Sequence, residues 1–242
     1  KKNNLYVICP GLEFIKSLNE IPEYSSEEKH FRRKKNNFSD CWLDYVKNNK
    51  NKIINALHFV SSNDYFYKSL IDRKYDINIP GIDYYRRKQA KQFIKNLNFK
   101  MPNNFYFYIF RVLNKLGFPV FKNNFMINIF NNIFSLNLSE SSIAYTAPGC
   151  FGMPIRKYFE IPASGALFIC EPCNGFRSLG FKDGINCIFA NPDELINKID
   201  DALKISDIDK IAKAGQELMF NNHSITERGK QIKECFLSIN EN

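Results

Sequence analysis

The sequence predicts an α/β fold: a parallel sheet with helices on both faces, preceded by a short, partly helical N-terminal portion. Strand-like and helix-like segments alternate from residue 74 to 204, the pattern of a parallel sheet with crossover helices. The clearest strands are short runs that are apolar throughout, as expected when both faces of a sheet are covered. No repeat with a period of about 20–50 residues is visible, which argues against solenoids and propellers.

Taken in order, Leu5–Cys9 reads as a buried strand ended by Pro10-Gly11. Residues 25–52 are polar, basic and helical or loose, with Cys41-Trp42-Leu43 and Tyr45-Val46 as a packing face. Ile53–Val60 is either a strand or a buried helical turn. Ser61-Ser62-Asn63-Asp64 has the composition of a helix cap and predicts a helix over Tyr65–Ile71. Lys74–Pro80 alternates Tyr75, Ile77 and Ile79 on one face and stops at Pro80-Gly81. A basic helix follows from Asp83 to Leu97, with Ala90, Phe93, Ile94 and Leu97 as its apolar stripe. Residues 102–138 are rich in aromatics and Asn, with a helix expected over Phe125–Phe134. Ser142–Thr146 is a strand, Pro148–Met153 a glycine-containing loop, Pro154–Pro162 a short helix with Pro in its first turn, Ala166–Cys170 a second clear strand, and Cys187–Ala190 a shorter third. Asn191-Pro-Asp-Glu194 caps a helix through Leu203, and helices over 207–222 and 224–238 complete the chain.

Composition bounds the function. Of 242 residues, 44% are hydrophobic and 15% aromatic, enough for a sizeable core and too many for intrinsic disorder. The longest apolar runs fall short of the roughly 20 residues that span a bilayer. Seven cysteines are scattered and mostly lie in apolar runs, which points to a reducing cytoplasm. The chain opens Lys1-Lys2-Asn3-Asn4 without Met, as a piece of something longer would. The net charge of +9 is unevenly placed: residues 1–100 hold 20 Lys and Arg against 11 Asp and Glu, and the remainder 14 against 14. The basic run His30-Phe-Arg-Arg-Lys-Lys35 offers a contact for nucleic acid or anionic lipid head groups, or is a solvated face or a disordered loop.

The stretch Thr146–Leu167 stands out. It places a glycine loop after one strand, a helix carrying Arg156, Lys157 and Glu160, and a Ser-Gly turn into the next strand. Loops and helix starts at the carboxyl ends of parallel strands favour anionic ligands. Arg156 and Glu160, four apart, share a helix face; together they suit a phosphate and a pair of ribose hydroxyls, or they form a surface ion pair. Lys74, Arg86, Arg87, Lys88 and Lys91 cluster beside the strand-end turn at Gly81 and are candidates for phosphate contact.

Arg156-Lys-Tyr-Phe-Glu-Ile-Pro-Ala-Ser-Gly-Ala-Leu-Phe-Ile169, Leu179-Gly-Phe-Lys-Asp-Gly184, Asp193-Glu-Leu195, Ala214-Gly215 and His223-Ser-Ile-Thr-Glu-Arg228 occur in the order found in the C-terminal domain of group 1 glycosyltransferases. Residues 142–235, and more loosely the chain from Lys74, resemble that family, most of all its spore-maturation-type subset. The resemblance implies a GT-B architecture of two Rossmann-like domains, here a nucleotide-sugar-binding domain over 72–242 and, over 1–71, a remnant of the acceptor-side domain. It implies transfer of a sugar from a nucleotide-diphosphate donor to a glycan, lipid or protein acceptor, without a metal or other cofactor and without nucleic acid. By the same resemblance Glu160 bonds the ribose, while Gly81, Arg86, Arg156 and Lys157 approach the diphosphate. Gly152, which the resemblance also places among the nucleotide-sugar-binding positions, stands where many relatives carry a second glutamate, eight residues before Glu160. The expected location is the cytoplasm, at the inner membrane surface, through the basic N-terminal portion.

Three further groups have competing readings. His58, in an apolar run, is a hydrogen-bonded core histidine or a catalytic base near the acceptor. His223 reads as structural. Cys170-Glu-Pro-Cys173 has two-residue spacing but no second pair at zinc spacing. Two other functions compete with glycosyl transfer: a binding module that has lost turnover, and a basic membrane-surface or nucleic-acid binder.

Overall fold

The structure is a computed structural model; it describes residues 7–9, 44–45, 48–49, 53–55, 58–81, 83, 85–118, 122–149, 152–173 and 175–240. The basic run 30–35 and the cluster 41–43 lie outside the described residues.

Two short strands, β1 (Val7–Cys9) and β2 (Ile53–Asn55), pair in parallel, so the ambiguous run at 53 starts as a strand. The main sheet has four parallel strands in chain order: β3 (Tyr75–Asn78), β4 (Ser141–Thr146), β5 (Leu167–Cys170) and β6 (Ile188–Phe189). Register is set by pairs such as Ile77 with Ile143 and Ile143 with Leu167. Among the described residues there are seven α-helices: α1 (Tyr85–Ile94), α2 (Phe105–Lys115), α3 (Asn124–Ser139), α4 (Lys157–Ala163), α5 (Leu195–Leu203), α6 (Ile208–Asn222) and α7 (Ile225–Asn240).

Alternation along the strands divides the core in two. Ala144, Phe168 and Cys170 point to one face, where α4 adds Tyr158, Phe159 and Ile161 and α3 adds Phe134 and Leu138. Ile143, Tyr145, Leu167 and Ile169 point to the other, covered by Ala90 and Ile94 of α1 and by Leu195, Ile199 and Ala202 of α5. Helix α6 serves both clusters, with Ile211 and Ala212 in one and Met219 in the other. The predicted sheet covered on both faces is therefore the sheet found.

Several elements differ from the sequence reading. The helix expected over Tyr65–Ile71 does not form. Ser61 does cap a turn, accepting the Asn63 N–H at 3.3 Å, but that turn is a three-residue 3₁₀ helix, and the chain then runs extended to a second 3₁₀ turn at Leu70–Asp72. Tertiary contacts win here: Val60 exchanges backbone hydrogen bonds with His223 and Ile225, and Tyr65 and Leu70 are buried in the two cores. Helix α1 is shorter than expected; Arg87 is buried with Ala90 and Ile94, whereas Phe93 and Leu97 are largely exposed. Helix α3 runs longer than Phe125–Phe134, the N–H groups of Phe125 and Met126 capped by the Asn123 side-chain Oδ1, and α2 is a helix that the sequence does not predict.

Arg73 ties the amino ends of the strands together. It is buried at 8% exposure, and its guanidinium donates to Lys68 O, at 3.1 and 2.9 Å, and to Ser141 O and Ser164 O at 3.1 Å each. Burial pulls this group down to about 10. Around it, Asp209 of α6 accepts from Ser69 Oγ and the Leu70 N–H, and Ser142 Oγ donates to Leu70 O. Arg73→Met keeps the stem but strands three backbone carbonyls. It is expected to lower unfolding free energy by about 2–4 kcal/mol, read in urea denaturation as a lower midpoint at unchanged slope.

Candidate functional site

Residues separated by up to 79 positions converge on one cleft of about 400 Å³, lined by Gly81, Phe107 and Arg111 of α2, Phe130, Asn131 and Phe134 of α3, and Arg156, Lys157 and Glu160. The sheet explains the convergence. Gly81 follows β3, and α4 with its preceding loop follows β4, so both arrive at the carboxyl ends of adjacent parallel strands, where ligand sites of open α/β sheets form.

The acid in this cleft is Glu160, only 6% exposed. Arg156 Nε reaches its Oε1 at 2.7 Å from a side chain that is itself 63% exposed. Burial pushes the Glu160 carboxyl above its usual range, and Lys157 and Arg156 oppose that shift. The ion pair forms, and it uses one edge of the guanidinium while the rest is open to solvent. Lys157 is more enclosed. Its Nζ lies 5.2 Å from the Phe134 ring centroid, and burial pulls its ammonium below the lysine range, opposed chiefly by Glu160. Its stem crosses Gly81, where a Cβ would stand 2.3 Å from Lys157 Cε; Gly81 also has φ +93°, a region that residues with side chains rarely adopt.

The opposite wall is aromatic. Phe107 meets Phe130 and Phe134 edge to face, at centroid distances of 5.0 and 6.0 Å. Arg111 is exposed at its rim. These residues were missed because residues 102–138 are too uniformly apolar and Asn-rich to show a helical phase. The i,i+4 pairs Phe107/Arg111 and Phe130/Phe134 are the signal that a helical reading of that stretch would have used.

Arg86, expected near the diphosphate, sits apart from this cleft. It forms a bidentate pair with Glu171, immediately after β5, at 2.8 and 2.9 Å, and its NH2 group also reaches Asn191 Oδ1 at 3.4 Å. The carboxylate claims it because α1 passes the end of β5, a neighbour that spacing within residues 74–97 cannot show. Gly152 also lies off the cleft lining, in a turn closed by its N–H donating to Gly149 O at 2.9 Å. His58 packs its ring against Phe159 at 5.9 Å and does not line the cleft either; burial, then the fields of Arg156, Lys157 and Arg228, keep it below the usual histidine range.

His223 is held inside the fold. Arg228 donates to Nδ1 at 3.0 Å, so Nε2 carries the proton and donates to Leu179 O at 2.9 Å. Burial pushes the Cys170 and Cys173 thiols up, that of Cys173 to about 12, so neither is a thiolate at neutral pH.

Residues 121–234 match a family model described as glycosyl transferase-like. The match covers a little under half of the chain, the part in which the sequence resembles the C-terminal domain of group 1 glycosyltransferases. Among solved structures, the chain is similar to a glycosyltransferase from Rickettsia africae ESF-5, at 15% identity and a TM-score of 0.50, over 80% of this chain and 59% of that one. It is similar to Anabaena Alr3699/HepE, whose structure was determined in complex with UDP and glucose, at 12% identity and a TM-score of 0.52, over 83% of this chain and 61% of that one. At such identities the likeness concerns the fold, which is that of GT-B glycosyltransferases, and the chain spans about three-fifths of the length of these neighbours. No curated protein sequence matches the chain. Within the matched segment, Arg156, Lys157 and Glu160 are the three polar residues that the family resemblance singles out on α4 and just before it, and all three line the cleft.

Charge at Glu160 is costly to the fold, and a neutral isostere removes that cost. Because its carboxyl titrates above the ordinary glutamate range, the penalty is absent in acid, where the group is protonated in both folded and unfolded chains, and grows as pH rises through the raised value. Glu160→Gln is expected to raise Tm by about 2–4 °C at neutral pH, about 1 kcal/mol for a domain of this size, and by less at pH 4, read by differential scanning fluorimetry across pH.

Proposed function

We propose that the chain is the donor-binding part of a glycosyltransferase that moves a sugar from a nucleotide diphosphate to an acceptor, and that the cleft beside α4 holds the donor. The observation that carries this reading is the convergence of Arg156, Lys157 and a buried Glu160 with the turn at Gly81 on one cleft. Two cations flanking a carboxylate suit a diphosphate bonded to a ribose: the cations meet the phosphate oxygens, and the carboxylate accepts from sugar hydroxyls. Transfer of the sugar leaves negative charge on the departing diphosphate, and fixed cations stabilise that charge as it develops. The Anabaena neighbour has been crystallised with UDP and with UDP-glucose, which supports a uridine nucleotide as the first donor to try. In this reading Arg156 and Lys157 neutralise the diphosphate without a cofactor, Arg86 acts only by holding Glu171, and the acceptor is a glycan, lipid or protein. The motif order favours the spore-maturation-type subset.

One observation favours a second reading, a binding module without turnover. Gly152 takes the place of the earlier glutamate of many relatives, and its φ of +67° is one that glutamate rarely adopts. The loop is thus shaped around glycine and does not offer a carboxylate site there.

Isothermal titration calorimetry with UDP tests donor binding. Glu160→Ala is expected to weaken affinity by about 1–3 kcal/mol, the scale of lost charge-assisted hydrogen bonds; unchanged affinity in that variant would overturn the assignment. Release of UDP from UDP-glucose with an added acceptor separates the transferase from the binding module.

A further inference from the structure

We infer that the outward face of α2 is a docking surface for an anionic lipid bilayer, separate from the basic N-terminal run and independent of what fills the cleft. Helix α2 has apolar residues nearly all the way round. Phe110 is buried and Phe107 faces the cleft, yet Phe105, Tyr108, Ile109 and, just past the last turn, Leu116 form a second stripe on the outer side, at i, i+3, i+4 and i+11; Phe118 and Phe125, further along the chain, are exposed as well. These six are between 43% and 71% exposed. An exposed apolar face of this length along one helix marks a contact surface.

Charge selects the occupant. From residue 84 to residue 139 the sequence holds nine Lys and Arg and no Asp or Glu. Arg111 and Lys115 border the stripe along one edge of α2, and Lys122 lies in the connection to α3. A second copy of the chain would set this cationic border against its own likeness, which opposes self-association. An anionic membrane satisfies both features at once: aromatic and aliphatic side chains enter the head-group boundary while the cations meet lipid phosphates. The helix has eleven residues, and no helix among the described residues is long and apolar enough to cross a membrane, so the contact is one of lying on the surface.

Co-sedimentation of the full chain with vesicles tests this. The protein is expected to bind vesicles of phosphatidylcholine with about one-third phosphatidylglycerol, to leave them as salt is raised, and to ignore pure phosphatidylcholine. The exposed triple variant Tyr108→Ser, Ile109→Ser and Leu116→Ser should weaken partitioning at least tenfold with an unchanged melting temperature, and Lys115→Gln with Lys122→Gln should reduce its salt dependence. The inference is overturned if the triple variant binds like the parent. It is overturned equally if neutralising Arg32, Arg33, Lys34 and Lys35 abolishes binding that the triple variant retains. Light scattering that shows a dimer dispersed by the triple variant, with no vesicle binding, would assign the face to a second copy instead.

Discussion

The buried guanidinium of Arg73 is the constraint on which the rest of the domain depends. It satisfies carbonyls from three segments far apart in sequence: the extended stretch before β3, the first residue of β4, and the turn between α4 and β5. A cation buried among carbonyls is tolerable only when its donors are matched by geometry, and lysine, a point charge without a planar fork, could not reach the same set. With the amino ends of β3, β4 and β5 fixed in this way, the loops at their carboxyl ends arrive in a defined order. Gly81 and α4 are therefore neighbours as a consequence of sheet register rather than of any direct bond between the two loops.

At the carboxyl ends the priorities reverse. The amino-end network places each polar group against a partner, whereas the cleft keeps a carboxylate and an ammonium partly starved of solvent, each displaced from its ordinary titration range mainly by burial. Such groups weaken the empty fold and strengthen contact with a ligand that brings complementary charge. Perturbed neighbours of opposite sign in a concave, part-aromatic site are what distinguishes this cleft from the exposed ion pairs elsewhere, such as Lys204 with Asp201.

How far the sequence could be read follows from the kind of signal each element carries. Strands β4 and β5 were legible because a strand buried on both faces is a short unbroken apolar run, and β3 because Pro80-Gly81 ends it. The α4 cluster was legible because its three polar residues lie within five positions. The wall contributed by α2 and α3 was not, since Phe, Ile and Asn recur there without a polar face to set the helical phase. Arg86 and Arg87 could not be told apart by sequence: they are adjacent, yet one meets Glu171 at the sheet end while the other is buried with Ala90 and Ile94, and only the rotation of α1 decides which does which. Ser61 caps as its chemistry predicts, but the turn it caps lasts three residues, because Val60 is held by His223 and Ile225 and the chain after Asp64 runs extended.

The crossing of the Lys157 stem over Gly81 links two positions 76 residues apart. Any side chain at 81 meets both an unfavourable backbone angle and the lysine methylenes, so a change there cannot remain local: it displaces the ammonium from above Phe134 and alters the field at Glu160. The two sites are thus epistatic. A shorter residue at 157 removes the steric part of the demand for glycine at 81 and leaves the part set by the backbone angle, so a substitution at one position changes what the other tolerates.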